Sequence, residues 1–69
     1  MIYYLSVSEK EERLINLSNV REAFRINNTI GYTYRDGTTS SANMSSEEDA
    51  IAAFKQLDIE MKNLKWESN

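Results

Sequence analysis

The hydrophobic period of this chain changes once, at Ser45, and that change constrains the fold more than any other feature. Before it, apolar residues alternate with polar ones. After it, Ala50, Ala53, Phe54, Leu57, Met61 and Leu64 recur at the three-and-four spacing of one helix face. A chain that passes once from the two-residue period of a strand to the roughly 3.6-residue period of a helix builds its strands first and its helix last.

The helix start is marked by chemistry as well as period. Ser45 with Glu48, or Ser46 with Asp49 one residue on, forms a capping box, and Glu47, Glu48 and Asp49 complement the positive end of the helix dipole. The chain has no proline, and no glycine follows Gly37, so the predicted helix runs from about 46 to 65. Ala52, Ile59 and Trp66 fall on the side opposite the main apolar stripe. That second stripe has no evident partner in so short a chain.

Upstream, Ile2 to Val7 reads as a strand with both faces at least partly covered, and Glu9 to Glu12 as a charged turn. Leu14 to Leu17 reads as a second strand closed by Ser18-Asn19, whose side chains favour a turn. From Val20 to Ile26 the alternation predicts Val20, Phe24 and Ile26 on the core face and Arg21, Ala23 and Arg25 on the other, with Glu22 a misfit among the apolar residues. Asn27-Asn28 and Asp36-Gly37 are hairpin signals that bracket Thr29 to Arg35, and Thr38 to Met44 is the return strand. The expected fold class is α+β, an antiparallel β-meander of about five strands within 2–44, packed on one C-terminal helix in a single domain spanning 1–69.

The succession Ile15-Asn16-Leu17-Ser18-Asn19-Val20, the hairpin at Asp36-Gly37 and the capped start Ser46-Glu47-Glu48-Asp49-Ala50 resembles a recurrent type of small uncharacterised bacterial and phage-encoded protein. The resemblance covers nearly the whole chain. It implies the meander-plus-helix fold and a bacterial or phage-encoded setting, and it carries no functional residues.

Composition narrows the chemistry. A 69-residue domain draws only a few kcal/mol, roughly 3–5, from its core unless disulfides, metals or self-association add to it. With no Cys and no His, disulfides and the common zinc and haem sites are excluded, which leaves homo-oligomerisation. Met1 to Leu5 has neither a basic start nor a long apolar run, so no membrane span or export signal is expected and a cytoplasmic location fits. A net charge of −3 argues against nucleic acid as a general partner.

Without His or Cys, an acid–base or nucleophilic centre has few candidates, so the chain is expected not to be an enzyme and to need no cofactor. Glu47, Glu48 and Asp49 suit a hard cation, but a dipole-matched helix start accounts for them without a metal. The candidate ligand-binding set is Arg21, Arg25 and Arg35, predicted on one sheet face with Thr33, and with Tyr4 at the rim to stack on a base. Ala52, Ile59 and Trp66 form a candidate interface. Two functions follow: a non-catalytic protein that sequesters an anionic, nucleotide-like small molecule, or a protein-interaction or inhibitor module acting through the outer helix face.

Overall fold

In the computed structural model, the backbone is described for residues 1–67 and the side chains for residues 1–64. Strands β1 (Ile2–Ser8) and β2 (Glu11–Asn16) are followed by a 3-10 turn at Leu17–Asn19. Strands β3 (Val20–Ile26), β4 (Thr29–Tyr34) and β5 (Thr39–Asn43) then lead into helix α1 (Glu47–Glu67). Every pairing is antiparallel and joins consecutive strands. The protein is an α+β fold of five antiparallel strands and one C-terminal helix. The strands divide into two sheets, β1–β2 and β3–β4–β5.

The five-strand antiparallel meander is as expected, and it divides into two sheets for a local reason that corrects the bounds of β2. Leu17, expected in a strand, turns inward and is buried in the 3-10 turn, where its N–H donates to Met1 O at 2.9 Å. The Asn16 side chain accepts from Ser18 N at 3.1 Å, so the backbone leaves the ladder at this point. β2 is also longer than its apolar residues suggest. Glu12 accepts from the Tyr4 hydroxyl at 2.7 Å and Glu11 from Arg13 Nε at 2.6 Å, so these acids are held within the hairpin and the turn shrinks to Glu9-Lys10.

A second correction lies in β3. Val20 pairs with Tyr34 and Glu22 with Thr33, which leaves Arg21 as the extra residue of a β-bulge. One extra residue reverses the alternation that follows. Ala23 therefore faces the core with Tyr32, whereas Phe24 lies over Gly31 on the outer face and Ile26 is 62% exposed. Glu22, anomalous in the sequence pattern, stands on that solvent side.

The core is a continuous layer between the two sheets and the helix. Leu5, Val7 and Ile15 come from the hairpin, Ile30, Tyr32, Ala42 and Met44 from the sheet side, and Ala50 and Leu57 from α1. The outer face of β1–β2 carries Ile2, Tyr4 and Leu14 in the open, so β1 is covered on one side only. Of the two capping registers, the chain takes the later one: Ser46 Oγ accepts from Asp49 N at 3.1 Å.

Candidate functional site: a groove between β3 and α1

Where the bulge turns Ala23 inward, a groove of about 680 Å³ runs between the first half of β3 and α1. Its helix wall is apolar, formed by Phe54, Leu57, Met61 and Leu64. Val20, Arg21, Glu22 and Ala23 follow in sequence along the opposite wall, and Leu17 and Ser18 of the 3-10 turn close one end. Arg35, Asp58 and Lys62 complete the rim.

The charges at the rim are unequally committed. Lys62 Nζ reaches Asp58 Oδ2 at 3.2 Å, an exposed pair worth little to stability. Arg35 is anchored twice, its backbone N–H to Asn19 O and its Nε to Ser18 O, both at 2.8 Å. That anchorage fixes the stem of the guanidinium and leaves both terminal nitrogens to donate elsewhere. Arg21, thrown outward by the bulge, is exposed and has no partner among the described residues. Two forked donors thus overlook an apolar wall, an arrangement suited to a carboxylate or phosphate joined to an apolar body.

A smaller concavity of about 520 Å³ lies on the far side of Arg35, lined by Asn19, Tyr34, Asp36 and Thr38. Hydrogen bonds from the Thr38 hydroxyl and backbone N–H hold the Asp36 carboxyl below the ordinary carboxylate range. Burial beside Tyr32 raises the Tyr34 phenol above its ordinary value.

The predicted site residues are only partly gathered here. Arg21 and Arg35 meet at the groove. Arg25 does not: it donates from Nη1 to Asn27 O at 2.9 Å, at the other end of β3. Thr33 stands on the outer face 3.4 Å from the Thr39 hydroxyl, and the bulge is what separates it from Arg25. Tyr4 belongs to the other sheet, on its outer face, with its hydroxyl bound to Glu12. Ala52 and Ile59 are both exposed on α1, and the Trp66 side chain lies outside the described residues.

Two features escaped the sequence pattern. The groove's helix wall was legible only as core, because periodicity does not show where the sheet stops short of the helix. Arg13 was passed over because β2 was read as starting at Leu14. It reaches from the first sheet to the second, donating from Nη1 to the Tyr32 hydroxyl at 3.0 Å and to Ser40 Oγ at 3.5 Å. The alternation Arg13, Ile15, Leu17 was the available signal.

Among the described residues, no three acidic side chains gather as a metal site, and no helix is long and apolar enough to cross a membrane. No family model matches this chain, and neither a curated protein nor a solved structure matches it.

Proposed function

We propose that this is a non-catalytic binding protein that captures an anionic ligand with an apolar body in the β3–α1 groove. The observation that carries the reading is the meeting of Arg21 and Arg35, from two different segments, above the wall of Phe54, Leu57 and Met61. A nucleotide-like small molecule is the ligand expected from the sequence, and it belongs to this class. A bacterial or phage-encoded setting and a cytoplasmic location accord with such a role.

Calorimetric titration of a nucleotide and acidic-peptide panel into the wild type, Arg21→Ala and Arg35→Ala tests it. Each substitution removes a charge-assisted contact worth roughly 1.5–3 kcal/mol, so binding weakens at least tenfold. No heat with any member of the panel, or equal affinity across the three proteins, rejects the groove as the site. A second reading, a self-association or partner-protein surface on the outer side of α1, is favoured by Ile59, which is 52% exposed and shares its helix face with the exposed Ala52.

A further inference from the structure

We propose that the occupant of the groove is an extended peptide bearing an acidic side chain, added to β3 as a fourth strand. The proposal rests on the reading of the groove as the binding site and names the class of ligand it takes.

The first support is the kind of surface β3 presents. In the order β3–β4–β5, β3 is an edge strand, and among the described residues its second edge carries backbone donors and acceptors with no ladder partner. Successive strand residues point to opposite faces. Glu22 on the outer face and Ala23 on the core face both line the groove, so it runs along the edge of the strand. Main-chain pairing to an exposed edge, with side-chain pockets alongside, is a recurrent mode of peptide capture.

The second support is dimension. From Phe54 to Leu64 the apolar wall extends about 15 Å at 1.5 Å per helical residue. An extended chain advancing about 3.3 Å per residue places four or five residues against that length. β3 lines that length with four residues, Val20 to Ala23, the bulge among them.

The third is charge. Lys62 and Asp58 satisfy each other, which leaves Arg21 and Arg35 against Glu22, a positive rim on a protein of net charge −3. The bulge and the charged side chains along β3 discourage indiscriminate edge pairing and admit a segment that answers them with an acid. A nucleotide base, by contrast, finds one aromatic ring on the wall among the described residues, Phe54. Tyr32 is buried beneath Arg13, and Tyr4 is on the other sheet.

The test is selection from a ribosome-displayed library of random octapeptides, with AMP and ADP titrated in parallel. The expected enrichment is of peptides that alternate apolar side chains and carry at least one Asp or Glu. Arg21→Glu, an exposed and unpartnered position, weakens the best synthetic peptide at least tenfold with the melting temperature unchanged. Methylating alternate backbone nitrogens of that peptide abolishes binding in one register and spares it in the other. Equal sensitivity in both registers, or in neither, overturns strand addition. Arg21-dependent binding of AMP or ADP without peptide enrichment overturns this proposal and leaves the binding-groove reading standing, whereas Arg21-independent binding, or no binding of either class, overturns both. A wild-type dimer that Arg21→Glu dissociates makes the occupant a second copy of the chain and also overturns the proposal.

Discussion

Gly31 offers a sharp test of the register that the β3 bulge imposes. Its φ is not in the left-handed region, so its backbone would accept any residue. The need for glycine comes from across the strand pair: Phe24 pairs with Gly31, and a Cβ there would run into the Phe24 ring. Gly31→Ala must therefore push that ring off the sheet. Phe24 is half-buried, and losing its cover costs about 1–2 kcal/mol of the 1.5–3 that full burial of such a side chain supplies. Against that stands a gain of about 0.5–1 kcal/mol for replacing glycine within a strand. The net effect is a destabilisation of up to about 1.5 kcal/mol. In a Phe24→Ala background the clash is absent, only the gain remains, and the same Gly31→Ala change becomes stabilising by about 0.5–1 kcal/mol. Urea unfolding of the four proteins of this cycle, compared at constant slope, reads both signs. If Gly31→Ala shifts the midpoint in the same direction in both backgrounds, Phe24 does not lie over Gly31 and the bulge at Arg21 is misplaced.

Three further outcomes are expected. Ser46→Ala removes the acceptor for Asp49 N and lowers stability by about 1 kcal/mol in urea, whereas Ser45→Ala, one residue upstream, leaves the midpoint within error. Tyr34 and Tyr3 have phenols held above the ordinary tyrosine value of 10.0 in the fold, chiefly by burial. Their contribution is intact below pH 10 and is lost as pH rises through the folded values, so melting temperature falls steeply above pH 10 and falls less steeply in Tyr34→Phe. If the outer side of α1 joins copies, Ile59→Lys removes apolar burial worth about 1.5–3 kcal/mol per subunit and shifts sedimentation toward monomer; a wild-type monomer at high micromolar concentration excludes that interface.

The elements were legible because they rest on local chemistry. Asp36-Gly37 and Asn27-Asn28 turn where hairpin stereochemistry places them, with Asn27 at a φ of 54° and Gly37 at 94°. Ala50 and Leu57, read from the helical period, are in the core. The site was less legible because it depends on single-residue register. Nothing in Val20-Arg21-Glu22 announces a bulge except the misplaced acid, yet that one residue separates Arg25 from Arg21 and moves Phe24 and Ile26 to the outer face. Arg13 escaped for a related reason: a charged residue beside two acids reads as turn, and only the Tyr32 hydroxyl opposite makes it an inward-facing strand residue.

The position of α1 after all five strands sets a timetable for synthesis. Hairpins between neighbouring strands close in about 1–10 μs, far faster than the ribosome adds a residue. The 21 residues of α1 emerge at about 5–20 residues per second, so the strands wait for one to four seconds with Leu5, Ile15, Ile30 and Tyr32 uncovered. Stability added to the finished fold does nothing for a chain in that interval. Soluble yield in a cell therefore depends on how quickly Ala50 and Leu57 arrive, and slow codons within the stretch encoding α1 lower it while leaving the sequence and its melting temperature untouched.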